Sequence, residues 1–214
     1  PPGKIPAPLC ARGDRENISR TQQMAGFDPR SGACTDTAAA CRHLRTIVDQ
    51  QVAASTETLC AVFDIDDTLL LHTESSVGRN NPVGDLLEHC TSAGVRVHVI
   101  TARPESTRGA TQRDLSRVAP VYDTLHMLPP SVERSGIGLW KFVTRWHCLM
   151  TDAETHGHAR MIFSIGDQWW DLLRDDEQID KAMDIFPSSS VPYIVTAPPP
   201  MEPATILAKL PAQP

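Results

Sequence analysis

The sequence predicts an α/β fold: an open parallel sheet of five strands with helices on both faces. Three observations predict it. Short apolar runs alternate with stretches of helical periodicity from about residue 59 to residue 197. The first run, 59–65, leads into three acids, Asp64, Asp66 and Asp67. Later runs end in polar clusters of their own, Thr101-Ala102-Arg103 and Gly166-Asp167-Gln168. Ligands of open parallel sheets bind beyond the carboxyl ends of the strands, where these residues fall.

Residues 1 to about 35 are rich in Pro, Gly, Arg and Asp and show little periodicity, which reads as an irregular arm. From Thr35 to about Ala54 the pattern is helical, with Ala39, Leu44, Ile47, Val48 and Val52 on one stripe and Thr35 or Asp36 as the cap. Residues 59–65 read as the first strand and 81–93 as a helix opened by Pro82. VRVHVIT, 95–101, is the second strand and 105–118 a helix. Residues 121–128 form a weaker third strand, followed by a helix over 139–151. The fourth strand is 161–165, a short helix covers 169–175, and the fifth strand is 193–197. The Pro-rich end finishes in a short apolar helix or tail. The resulting organisation is an N-terminal arm and helix, 1–58, packing on a core, 59–200, with a tail, 201–214.

Composition narrows the function classes. The chain has 214 residues, 41% hydrophobic and 21% charged, an ordinary globular balance. The net charge of −6, from 26 acids and 20 bases, argues against a general nucleic-acid binder. A phosphorylated small molecule or a phosphorylated macromolecule remains compatible with it. No stretch has the length of a membrane-spanning helix, and no signal peptide is visible. The chain starts at Pro1, so an upstream segment is compatible with it. The six cysteines include no CxxC, which argues against a zinc site. Cys60 reads as core, whereas Cys10, Cys34 and Cys41 are free to pair in an oxidising compartment. Cytoplasmic and exported locations both fit.

The acids carry the chemistry. In extended chain, side chains two apart share a side, so Asp64 and Asp66 face one site while Asp67 points away. Like charges at a strand end repel, and a cation or a reaction justifies them. Four sequence segments then fall into a recognisable order. DIDDT (64–68), VITAR (99–103), Lys141 in GLWKFVTR, and IGDQWWD (165–171) resemble the four motifs of the haloacid dehalogenase superfamily of phosphohydrolases. GDQWWDL and TARPESTRGATQRDL are similar to segments of plant-type acid phosphatases and vegetative storage proteins. The resemblance spans about 59–197. Ala102 departs from it, since many relatives have Gly there, and the third motif is a lone lysine.

The resemblance implies a Rossmann-like sheet with a minimal cap and a Mg²⁺-dependent phosphatase. Asp64 would be the nucleophile that forms an aspartyl-phosphate, and Asp66 the acid and then the base. Thr101 would hold a phosphate oxygen, and Lys141 would neutralise phosphate and Asp64. Metal ligation falls to Asp64, Asp66 (through its carbonyl), Asp167 and Asp171. Thr68, Ala102 and Arg103 are placed at the substrate. His72, with Thr73, Ser75 and Ser76 on a flap, borders the site, and one of Trp169 and Trp170 flanks it while Trp140 packs. About 30 residues separate Thr68 from Thr101 and about 40 separate Thr101 from Lys141, spans that strands and helices mostly fill. Two competing readings are a nucleotide or nucleic-acid end phosphatase, which the acidic balance disfavours, and a non-catalytic storage or binding protein on the same fold.

Overall fold

The computed structural model describes residues 27–28, 33–34, 37–72, 76–119, 121–168, 171, 193–196 and 205–208. The chain begins with β1 (Phe27–Asp28) paired antiparallel to β2 (Ala33–Cys34), within the stretch expected to be irregular. Then come α1 (Thr37–Ala54), β3 (Thr58–Phe63), the hairpin β4 (Leu70–His72) and β5 (Val77–Arg79), and α2 (Asn81–Ser92). β6 (Arg96–Pro104) follows, then a 3₁₀ turn (Glu105–Thr107), α3 (Arg108–Val118) and β7 (Thr124–Leu128). A second 3₁₀ turn (Arg134–Gly136) leads into α4 (Ile137–His156), β8 (Ala159–Gly166), β9 (Tyr193–Thr196) and β10 (Thr205–Ala208).

The main sheet has the order β10-β9-β8-β3-β6-β7. β8, β3, β6 and β7 are parallel, as expected. The fifth strand is not: β9 pairs antiparallel with β8, and β10, where a helix or tail was expected, pairs antiparallel with β9. A strand's own residues state that it is extended but not which way it runs. Its direction follows from the connection, and an antiparallel edge on a parallel sheet is a common variant. The irregular arm before residue 27, Thr73, Ser75, Trp169, Trp170 and most of the helix expected over 169–175 lie outside the described residues.

Alternate residues of the central strands face two different layers. Ala61 and Phe63 of β3 and Val97 and Val99 of β6 join a cluster with Leu44 and Val48 of α1, Leu86 and Leu87 of α2, and Leu115 of α3. Ala40, Leu44 and Val48 recur at i, i+4 and i+8, so one stripe of α1 enters this core; Val52, on the same expected stripe, is exposed. Val83, Leu86, Leu87 and Cys90 do the same for α2. α2 stops because Gly94 adopts φ +79°, and the Gly94 and Val95 amides donate to the Thr91 and Cys90 carbonyls, a Schellman closure. Cys60, Val62 and Ile100 face the opposite layer, where Cys148 and Leu149 of α4 cover them. Cys60, Cys90 and Cys148 are buried free thiols, and Cys41 is buried as well. Among the described residues, no helix is long and apolar enough to cross a membrane.

Candidate active site

The site forms where β3 and β8 end. The Asp64 amide donates to the Ile165 carbonyl at 3.0 Å, which pins the first acid between the two strand ends. The chain then turns sharply, with the Leu70 amide on the Ile65 carbonyl at 2.8 Å. Asp67 takes φ 53°, the left-handed region that Asp tolerates better than most residues, and its carboxylate accepts the His72 amide. The turn therefore buries Asp64 and sends Asp67 to solvent, with Asp66 between them in exposure.

Lys141 reaches this point from α4, four residues into the helix. Its Nζ donates to Asp64 Oδ1 at 2.6 Å and also to Asp171 Oδ1. Asp171 is fixed from three further directions. Its carbonyl accepts Arg145 Nη1 at 2.8 Å and Ser164 Oγ at 2.9 Å, and its Oδ2 accepts the Gln168 amide at 2.9 Å. Gly166 makes the approach possible: a Cβ there would lie 2.3 Å from Asp171 Cβ. One carboxylate oxygen each from Asp64, Asp167 and Asp171 lie within 4.8 Å of one another.

Three carboxylates face the Lys141 ammonium in this pocket, and burial together with mutual repulsion opposes the ionisation of Asp64 and Asp167. Burial pushes Asp64 well above the usual carboxylate range, with Asp171 and Asp167 adding to the rise and Lys141 opposing it. Burial, then Asp171, pushes Asp167 up to about 6. For Lys141, burial favours the neutral amine, but Asp171 and Asp64 outweigh it and hold the ammonium above the ordinary lysine value. Burial pulls the Arg145 guanidinium down to about 10, so it stays charged at neutral pH.

Asp66 stands apart from this cluster. Arg103 grips it at both oxygens, Nε to Oδ2 at 3.0 Å and Nη2 to Oδ1 at 2.7 Å, while Nη1 donates to Asp114 Oδ2 at 2.9 Å. His72 Nε2 lies 3.5 Å from Asp66 Oδ1. Arg103, placed at the substrate by sequence, is thus engaged by two acids of the protein. Thr101 is fully buried at the carboxyl half of β6, and its Oγ1 accepts the Arg103 amide at 3.2 Å. Ala102 is half-buried. Thr68 is fully buried, and its Oγ1 has no hydrogen-bond partner among the described residues. Ser76 is exposed, and Trp140 is half-buried against the cluster beneath α4, a packing position.

Sequence reading brought Asp64, Asp66, Thr101, Lys141, Asp167 and Asp171 to one strand edge; the structure groups Asp64, Lys141, Asp167 and Asp171, and turns the Asp66 carboxylate to Arg103 instead. Sequence reading did not single out Arg145, Ser164 or Asp114. Arg145 carried a signal, since it follows Lys141 by four residues and so shares its helix face. Asp114 stood within TARPESTRGATQRDL, 11 positions from its partner, and Ser164 carried no signal, being an ordinary polar residue whose partner lies 7 positions away.

No family model matches the chain, and no curated protein matches it. Solved structures do. The class C acid phosphatase from Bacillus anthracis superposes with a TM-score of 0.53 at 15% identity, covering 76% of this chain and 73% of that one. A structure of the class C acid phosphatase from Bacillus anthracis with tungstate bound gives 0.50 at 17% identity over the same shares. The similarity is one of fold: this chain carries the α/β fold of a class C acid phosphatase.

Proposed function

We propose that this protein is a metal-dependent phosphomonoester hydrolase of the acid-phosphatase type, acting through an aspartyl-phosphate on Asp64. The observation that carries the reading is the buried Asp64 carboxylate, held by Lys141 Nζ at 2.6 Å beside Asp167 and Asp171. The donor set fits a hard divalent cation such as Mg²⁺: it is all oxygen, and its negative charge exceeds what Lys141 neutralises. Asp64, Asp167 and Asp171 would hold the ion, with the Asp66 carbonyl as a further ligand. When bound, it would screen the phosphate's charge and favour ionised Asp64.

The remaining roles belong to the chain. Lys141 fixes one oxygen of Asp64, which leaves the other to attack phosphorus. The P–O bond to the leaving group breaks as Asp66 gives that oxygen its proton, and Asp66 then takes a proton from the water that cleaves the acyl phosphate. Arg103 sets the direction of the Asp66 carboxylate. Thr101 supplies a hydroxyl and a backbone amide for a phosphate oxygen. The fold likeness to acid phosphatases supports the reaction class.

Hydrolysis of an aryl phosphate by the full chain tests the reading. Activity is expected to vanish with chelator, return with Mg²⁺, and fall to background in Asp64→Asn. Full activity in excess chelator would sink the metal site, and near-normal turnover by Asp64→Asn would sink the covalent route.

A further inference from the structure

A second group of titratable side chains lies on the α4 side of the sheet, outside the site above. It involves Cys148, seven residues or about 10 Å along the helix from Lys141. His98 of β6 is buried, and its Nε2 lies 2.8 Å from Asp152 Oδ2. Asp152 is held in turn by Arg96, whose Nε donates to Oδ1 at 2.7 Å. A carboxylate can only accept here, so Nε2–H donates to Asp152 and Nδ1 faces Thr124 of β7. There Thr124 Oγ1 lies 2.7 Å from His98 Nδ1 and 3.0 Å from His126 Nε2, and Cys148 Sγ lies 3.3 Å from His126 Nε2. Donor atoms of His98, His126 and Cys148 all fall within 4.8 Å of one another.

We propose that His98 Nδ1, His126 Nε2 and Cys148 Sγ bind a zinc ion, with Asp152 holding His98 in the ligating tautomer. Two imidazoles and a thiol are nitrogen and sulfur donors, the set that selects zinc over Mg²⁺. Tetrahedral zinc with Zn–N of about 2.0 Å and Zn–S of about 2.3 Å separates neighbouring ligand atoms by roughly 3.5 Å. The Cys148–His126 spacing of 3.3 Å already approaches this. A carboxylate on the far nitrogen of a ligating histidine is the usual support for such an ion. Cys60 groups with His98 and Asp152 but not with His126 and Cys148, and it is not among the proposed ligands.

Binding replaces the S–H bond of Cys148 by a Zn–S bond and releases one proton to solvent, with no change of oxidation state. The two imidazoles enter as neutral donors. Thr124 Oγ1 gives up its bridge between them, and the fourth position goes to that hydroxyl or to water. β7 is the edge strand of the sheet and His126 is half-buried, so the ion reaches the group from the edge. The three ligands come from β6, β7 and α4. No short sequence spacing joins them, so the absence of CxxC does not speak to this site.

The test is titration of the full chain with Co²⁺ in excess Mg²⁺, followed by absorption for a thiolate-to-cobalt charge-transfer band. One equivalent of Co²⁺ is expected to produce the band, Zn²⁺ to abolish it, and Zn²⁺ alone to raise the melting temperature. Cys148→Ser should remove the band and the thermal shift, whereas Asp167→Asn and Cys60→Ser should keep both. Asp152→Asn should weaken Co²⁺ binding by ~10–100-fold. His126→Gln, at the half-buried edge, gives the same reading if Cys148→Ser fails to fold. No thiolate band at saturating Co²⁺, or a band that survives Cys148→Ser or His126→Gln, would overturn the proposal and leave a hydrogen-bonded network. These readouts do not depend on phosphatase activity.

Discussion

The two faces of the central sheet carry helices of opposite character. α1 and α2 bury mainly apolar residues, among them Leu44, Val48, Leu86, Leu87 and Cys90. α4 buries Lys141, Thr144, Arg145, Cys148 and Asp152 beside a single leucine, Leu149. The apolar face needs only shape and area removed from water, and each large side chain there contributes about 1.5–3 kcal/mol. The polar face costs desolvation that its ion pairs barely offset, and it persists only where each charge has a partner. The larger apolar cluster and the proposed chemistry therefore lie on two sides of one sheet.

The largest effects should come from breaking a pair on the polar face. Lys141→Met leaves Asp64, Asp167 and Asp171 in one pocket without their ammonium. A buried charge that loses its partner costs about 3–5 kcal/mol, so melting in chelator should fall accordingly, and turnover should fall to background even with Mg²⁺. Unchanged melting with unchanged turnover would mean that the helix-borne lysine is ornamental to the site.

On the other face the two readouts should separate. Leu87→Ala removes a fully buried side chain of α2 within the apolar cluster. Denaturant unfolding should show a loss of about 2–5 kcal/mol, while kcat of the folded fraction stays as it was. A fall in kcat at constant KM would show that the apolar face reaches the chemistry, and the division would fail.

Sequence reading reached the two faces unequally. The apolar face was legible because burial repeats with the period of the element: Leu44 and Val48 mark α1 much as Val97 and Val99 mark β6. The strand-end acids were legible because three carboxylates after an apolar run have few bland explanations. The middle of the polar face was not. His98 sits in VRVHVIT as one polar residue in a strand, and its partners Thr124 and Asp152 lie 26 and 54 residues away. Arg145 shares the helix face of Lys141, but its partner Asp171 lies 26 residues away. Polar burial is written in pairs, and one residue of a pair looks like surface. The hairpin of β4 and β5, three residues a side, is too short for periodicity to show.

pH sharpens the comparison on the polar face. In chelator, Asp167 holds its proton up to about 6 when folded, against about 3.9 for an unfolded aspartate. Between those values the folded chain binds the extra proton, so this group's contribution to stability falls as pH rises through the window. Asp64, also raised, acts in the same direction. Burial lowers His43 and His126, and these act oppositely, since the unfolded imidazoles protonate first on acidification. The clean reading is therefore the melting difference between Asp167→Asn and the parent chain, both in chelator. Asp167→Asn should melt higher at pH 7, by a margin that shrinks toward pH 5. A margin that grows on acidification would mean that Asp167 is stabilised, not crowded, by its surroundings.

The smallest effect is expected at Gly84, where two opposing magnitudes nearly cancel. Gly84 lies in the first turn of α2, and a Cβ there would fall 2.3 Å from Arg79 Nε. Alanine in a helix is worth about 0.8–1.0 kcal/mol over glycine. Against this, Gly84→Ala pushes aside the guanidinium that donates to Asp85 at 2.9 Å and Glu88 at 2.8 Å. Both acids are largely exposed, so those pairs contribute roughly 0–1 kcal/mol. The obstacle is the end of a flexible side chain rather than backbone, and among the described residues Arg79 Nε has no hydrogen-bond partner to lose. Unfolding by denaturant should therefore move by less than about 1 kcal/mol, with kcat and KM unchanged. A loss above about 2 kcal/mol, well beyond what exposed pairs supply, would show that Arg79 anchors the β4–β5 hairpin to α2. The hairpin that follows Asp66 and carries His72 would then be tied to the apolar side of the sheet.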